Sequence, residues 1–255
     1  MTRLVRIELE KLRTIRLPFG LLTAAAALTV LITVLKCERA GTLARSGLER
    51  PALDTAQGLA NALTSTDFAM LMALIFGVIV TTNEFRHSTA TTTYLGVPDR
   101  ARVLVAKSLA GLVGGAIFGA LAAALTTAIG LAFVAAKGYP VVLGGGTIAR
   151  YGLGATLGSA LLAVAGVAVG TLIRGQVASI VAVFAWGFVV EQIVGGLYNV
   201  VQPYLPYTAA LTLAGGQLAG GVAALPFAAA VALVAGVAVA LAVAAARTTM
   251  RRDIA

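Results

Sequence analysis

Charge is scarce in this sequence, and the scarcity is continuous. Fifty-five residues between Glu191 and Arg247 contain no Lys, Arg, Asp or Glu, whereas about 20 apolar residues suffice to cross a bilayer as a helix. Pro203, Pro206, Gly215-Gly216 and Gly220-Gly221 interrupt that run, so it cannot be one helix. Charged residues are 11% of the chain, roughly half their share in a soluble domain. No window of about 100 residues is free of spanning-length apolar segments, which excludes a separate soluble domain. Cysteine occurs once, at Cys37, so an intrachain disulfide and a multi-cysteine metal site are excluded. The preceding Val34-Leu35-Lys36 lacks the small residue expected beside a lipidated cysteine. Histidine also occurs once, at His87, which rules out a multi-histidine metal or haem site within one chain. No cluster of Asp or Glu suits two-carboxylate chemistry or a metal, and no Ser-His-Asp arrangement is credible. The G-x-x-x-x-G-K-[ST] phosphate loop is missing: Gly144-Gly145-Gly146-Thr147 has no following Lys to reach a phosphate. Enzymatic ATP hydrolysis is therefore not expected of this chain.

Apolar length is what the chain does have. Of its 255 residues 59% are hydrophobic, and the mean hydropathy is +0.95. Six spans are expected: 17–35, a second that starts before Asp67 and ends at 83, then 108–136, 148–173, 176–198 and 222–246. A polar loop over 36–60 follows the first. The run Leu17 to Leu35 is 19 residues long, longer than a signal-peptide core, and no small-x-small site follows it, so it reads as a retained span. Ahead of it Leu4, Ile7, Leu9, Leu12 and Ile15 recur at helical spacing, with Arg3, Arg6, Glu10, Lys11 and Arg13 mostly opposite. That is the pattern of an amphipathic helix lying in the headgroup layer. The expected organisation is an interfacial helix (1–16), one transmembrane domain (17–246) and a basic tail (247–255).

An even number of spans puts both termini on one side. Of the 19 Lys and Arg, thirteen lie on that side, and only Lys36, Arg39, Arg45, Arg50, Lys137 and Arg150 fall on the other. Positive loops stay inside, so both termini are expected in the cytoplasm. The net charge of +9 is parcelled between apolar runs in this way, and it speaks for orientation rather than nucleic-acid binding. Segment 199–221 then lies outside. Its sequence is apolar yet punctuated and reads as a short re-entrant element bent at Gly215 and Gly216; an ordinary loop with a short helix is the alternative. Glu191 is an acid inside an apolar stretch, about 22 Å along a helix beginning at Gln176. It reads as a pathway-lining residue, a cap for the re-entrant element or an interfacial acid. Glycines recur every four residues at 111–115–119, 154–158 and 166–170, stripes that let helices approach within one subunit or across a dimer.

Three motifs in register carry a resemblance. Residues 84–89 read E-F-R-H-S-T, followed by Pro98 and Arg100 and by Ala106-Lys107 at the head of a long apolar run. Residues 8–18 read E-L-x-K-L-R-T-x-R-x-P, and residues 173–191 read I-R-G-Q-x-A-S-I-V-A-x-x-x-W-x-x-V-V-E. Over essentially its whole length the chain resembles the permeases of the second ABC (ATP-binding-cassette) exporter family; Ser88 departs from the Gly often found there. The resemblance implies an all-α membrane protein with six transmembrane helices, an N-terminal amphipathic interfacial helix and a re-entrant outer element between the last two spans. It implies a permease dimer, from two identical or two related chains, working in a bacterial plasma membrane with separate cytosolic ATPase subunits. Those subunits hold the ATP and Mg, and this chain holds no cofactor or metal of its own. It further implies that Glu84, Phe85, Arg86, His87 and Thr89 form a coupling segment against the ATPase, with Pro98 and Arg100 marking the return into the third span. Two other classes stay open: a secondary transporter, which needs ionisable residues at midplane, and a scaffold or immunity protein that binds a peptide. Few aromatics, 6%, and few acids in the spans point to amphiphilic cargo, such as a drug, natural product, peptide or lipid-like molecule, rather than a small cation.

Overall fold

A backbone inside hydrocarbon has to satisfy its own N–H and C=O groups, and a helix does so within one segment. The computed structural model describes residues 2–14, 16–43, 49–86, 99–218 and 221–251; His87, Thr89 and Pro98 lie outside them. Among the described residues the regular structure is helical, with no β-strand. In chain order the helices are α1 (Thr2–Thr14), α2 (Arg16–Arg39), α3 (Ala56–Leu63), α4 (Asp67–Arg86), α5 (Arg100–Ala136), α6 (Gly145–Ile173), α7 (Gln176–Ala185), α8 (Glu191–Leu197), α9 (Pro206–Leu213) and α10 (Phe227–Arg251). A π-helical turn, Trp186–Val190, joins α7 to α8. Six segments are long and apolar enough to cross a membrane: α2, α3 with α4, α5, α6, α7 with α8, and α10. The chain has the make-up of a multi-pass membrane protein.

Three boundaries differ from those expected. The polar loop after α2 contains α3, capped where Thr55 Oγ1 accepts from the Gly58 N–H at 3.1 Å. The buried Thr64-Ser65-Thr66 break the helix before Asp67 restarts it. The third span begins at Arg100, not at 108, because Asp99 caps it by accepting from the Arg102 N–H at 3.2 Å. Lys107 is thereby inside the helix. The last span starts at Phe227, where the Pro226 carbonyl accepts from the Ala230 N–H at 3.0 Å. Pro18 is the third residue of α2, where a missing N–H costs no helical bond.

The packing centre is α6, which lies against α4, α5, α9 and α10. Small residues set these approaches. A Cβ on Gly77 would overlap the Ala163 carbonyl, and one on Gly166 would overlap the Leu74 carbonyl, so the backbones of α4 and α6 touch. Gly115 and Gly119 of α5 meet Ser159 and Ala155 of α6 in the same way, and Gly154 meets Leu213 of α9. Without a hydrophobic driving force between helices in lipid, such van der Waals contact is what holds them. The glycine stripes are therefore used within the chain.

Candidate functional site

Two constellations of charge sit inside the bundle, one near each end. The first begins with an acid on the wrong face of α1. Leu4, Leu9 and Leu12 turn toward the bundle, and Glu8 is buried among them. It meets Lys107 of α5, whose side chain is only 3% exposed. Lys107 Nζ donates to Glu8 Oε2 at 2.9 Å and lies 2.8 Å from Glu84 Oε1 at the end of α4. Lys11 closes the ring, donating to Glu8 Oε1 and Glu84 Oε1 at 2.9 Å each. Two cations alternate with two carboxylates, the geometry in which mutual attraction offsets the several kcal/mol each buried ion costs. Three helices distant in sequence are tied at one point.

Burial pushes Glu8 up, but Lys107 and then Lys11 outweigh it, and its carboxyl titrates below its ordinary 4.5. Burial likewise pulls Lys11 down while Glu8 and Glu84 raise it, and its ammonium titrates above its ordinary 10.5. A depressed acid contributes stability above its unfolded pKa and loses it as pH falls through the folded value. A raised base contributes stability below its unfolded pKa and loses it as pH rises through the folded value. Docking of α1 is thus expected to be constant between about pH 5 and pH 10 and to weaken progressively beyond either edge. A spin label on Ile7→Cys, an exposed position of α1, the native Cys37 being buried, should keep its restricted motion throughout that range and loosen below it. Loosening between pH 6 and 9 would contradict the assignment.

The same end gathers further contacts. Arg86 is exposed and donates from Nη1 to Gln176 Oε1 at 3.2 Å. The Arg174 guanidinium lies 5.7 Å from the centre of the Phe85 ring, and Arg174 holds the left-handed turn between α6 and α7 at φ 61°. The end of α4 is therefore fixed on one side to α1 and α5 and on the other to the α6–α7 turn. Of the residues expected to meet a partner, Glu84 is turned inward, Phe85 is half-buried, Arg86 faces out, and Arg100 opens α5. His87, Thr89 and Pro98 are outside the described residues.

The second constellation is built on Glu191, 1% exposed. The π turn before it carries about one extra residue relative to an α-helix and so rotates the start of α8 about the helix axis. Glu191 thereby faces the start of α9, whose own N-cap residue, Leu205, has no side chain to offer. Oε1 accepts from the Tyr207 N–H at 2.9 Å and from the Trp186 indole N–H at 2.8 Å. Oε2 accepts from the Thr208 N–H at 2.8 Å and the Thr208 hydroxyl at 3.0 Å. A carboxylate offers about four acceptor sites, and all are engaged. It completes the first turn of α9 from another helix and sits at the positive end of that helix. These bonds make Glu191 the N-terminal cap of α9.

Tyr207 extends the tie. Its hydroxyl donates to the Asp67 carbonyl of α4 at 2.8 Å, and its ring lies 6.1 Å from Phe188. Beside them lies a cavity of ≈ 340 Å³ among α4, α6, α7 and α10, lined by Leu74, Leu162, Val183, Trp186 and Val237, with Glu191 in its wall. Gly215 follows α9 at φ 86°, and a Cβ there would overlap the Tyr151 ring; one on Gly216 would come within 2.8 Å of the Leu211 carbonyl. Both glycines are thus required by local packing, whatever else they do.

Glu8, Lys107, Trp186 and Thr208 take parts that the sequence reading did not give them. A signal existed for two. Glu8 shares the stripe of Leu4 and Leu12, and Lys107 shares that of Val103, Ala106 and Ala110, all three buried. A charge at helical spacing within an apolar stripe asks for an opposite charge. No protein family matches the chain, and no curated protein matches it.

Proposed function

We propose that this chain is the membrane-spanning permease subunit of an ATP-driven ABC exporter, dimeric and served by separate cytosolic ATPase subunits. The observation that carries this reading is the convergence of α1, the end of α4, the head of α5 and the α6–α7 turn at one end of the bundle. That is the end bearing Glu84, Phe85 and Arg86, the start of the E-F-R-H-S-T segment that resembles the coupling segment of such permeases. Force applied there by a partner passes through Glu84 to Lys107 and through Lys107 to Glu8, and so reaches α5 and α1 together. Arg86, exposed at the margin, is the contact for the partner; Glu84 transmits.

In this reading both termini are cytoplasmic, α1 lies in the headgroup layer, and α9 with its flanking turns is a re-entrant element at the outer end. Glu191 holds that element to the head of α8 in the fifth span, so movement of one drags the other. A nucleotide shifts the permease between states only if the ATPase binds one state better; a swing from 1:99 to 99:1 needs about 5.5 kcal/mol of such preference. The cargo is amphiphilic or lipid-like. A secondary transporter would need a carboxylate available to a coupling ion; the acceptors of Glu191 are already taken, so that reading would have to rest on Asp67 at the head of α4.

Purification from source membranes in mild detergent is expected to retain a nucleotide-binding subunit. Arg86→Ala should weaken that retention by about 2 kcal/mol, roughly thirtyfold, without changing insertion. If no nucleotide-binding subunit accompanies the chain, even after cross-linking in intact membranes, the exporter reading falls and a scaffold takes its place.

A further inference from the structure

We infer that the groove between α1, α2 and α5 is a binding site for one anionic phospholipid from the leaflet on the N-terminal side. The groove has a volume of ≈ 500 Å³, within the ~300–1,000 Å³ typical of ligand sites. Its floor is aromatic: the rings of Phe76 and Phe118 lie 5.4 Å apart, and Gly114 leaves room for the first. Leu22 and Ile117 form its walls, and Ile117 is 53% exposed, so the groove opens sideways to lipid. Ile117 is ten residues beyond Lys107 on α5, about 15 Å along the helix. On α5 the lining begins at Val113, six residues or about 9 Å beyond Lys107, so the groove lies within the ~15 Å depth of one leaflet of a ~30 Å hydrocarbon core.

The mouth of the groove is charged. Arg6, Glu10 and Arg13 of α1 line it. Glu10 accepts from Arg6 Nε at 2.8 Å, which leaves the outer edge of that guanidinium available. Arg13 is exposed and forms no ion pair with any described residue. Lys11 faces away, into the ion ring. The mouth therefore carries a net positive charge where a headgroup phosphate lies, and arginine takes phosphate oxygens in a paired, planar fashion. An acyl chain in the groove with its phosphate on Arg13 and Arg6 satisfies both parts at once. A zwitterionic lipid fills the groove equally well but brings a second charge of the wrong sign to the mouth.

The test uses the whole protein in mixed micelles containing equal phosphatidylglycerol and phosphatidylcholine, with retained lipid read by native mass spectrometry. Wild type should keep one phosphatidylglycerol per chain, preferred by about fivefold or more. Arg6→Gln/Arg13→Gln should lose the preference, Arg6→Lys/Arg13→Lys should keep part of it, and Ile117→Trp should expel either lipid by covering the groove. Equal retention of the two lipids by wild type overturns the inference, as does undiminished preference in the double Gln variant. Displacement by excess inorganic phosphate would also overturn it, assigning the arginines to a free anion. The Arg variants alter exposed side chains only, so they decide the matter even if the Trp variant does not fold.

Discussion

Glu191→Ala should be the most damaging single substitution in this chain. It strands the buried Tyr207 and Thr208 N–H groups and the Thr208 hydroxyl, and it removes the acceptor of the half-exposed Trp186 indole. Each unsatisfied buried group costs about 1–3 kcal/mol, and with some relief from entering water the total should reach about 3–5 kcal/mol. At about 2–4 °C per kcal/mol for a chain of this size, the melting temperature of the purified protein should fall by about 10 °C. The sole tryptophan reports the event directly: Trp186 loses its hydrogen-bond acceptor, and its emission should shift in the folded variant. Glu191→Gln should be intermediate, because a carboxamide keeps one oxygen but turns an NH2 toward two of the donors. An unchanged melting temperature together with an unchanged Trp186 spectrum in Glu191→Ala would show that Glu191 does not hold α9.

Lys107→Met should release α1 from the bundle. The substitution removes the Lys107 ion pairs of the buried Glu8 and of Glu84 and leaves Lys11 to bridge the two carboxylates. Breaking a buried ion pair from one side costs about 3–5 kcal/mol, and the cost falls at a contact made by a short helix. Tryptic cleavage at Arg3, Arg6 and Arg13 in folded protein should accelerate by about tenfold or more, which corresponds to about 1.4 kcal/mol of the loss appearing as local opening. Lys107→Met with Glu8→Leu should recover much of the protection, because an apolar pair of similar volume replaces an ion pair at little cost. Such recovery is non-additive by design and separates a charge effect from a packing effect. Equal cleavage rates in wild type and Lys107→Met would show that the ion ring does not hold α1.

Length and hydropathy made the six spans legible, because a run such as 227–246 has no other way to satisfy its backbone in lipid. The same logic misplaced the head of α5. A charge at Lys107 reads as the edge of the membrane, and only the arrival of Glu8 and Glu84 from two other helices lets it sit inside. The helix Ala56–Leu63 was hidden because Glu49, Arg50 and Asp54 just before it make the whole stretch read as polar loop. Glu191 was visible as an oddity, but its role depended on a π turn, and one additional residue per turn leaves no compositional mark. The glycine stripes announced close approach without saying to what; Gly166 and Gly119 point at carbonyls that only the folded chain brings opposite them. Of the segment 84–100, Glu84, Phe85 and Arg86 could be placed, while the role carried over to His87, Thr89 and Pro98 rests on resemblance.

Where α4, α5 and α6 meet, backbone bears on backbone, and a carbonyl has no rotamers with which to yield. Shifting either partner of the Gly77–Ala163 or Gly166–Leu74 contacts by one residue would drive a side chain into a peptide group. The trio behaves as a stiff frame, whereas no described glycine brings α2, α7 with α8, or α10 into such backbone contact with it. Compliance is therefore expected at the periphery. Whatever alternation the chain undergoes, its pivots lie along the seams of those three outer elements, and the frame sets how far each can travel.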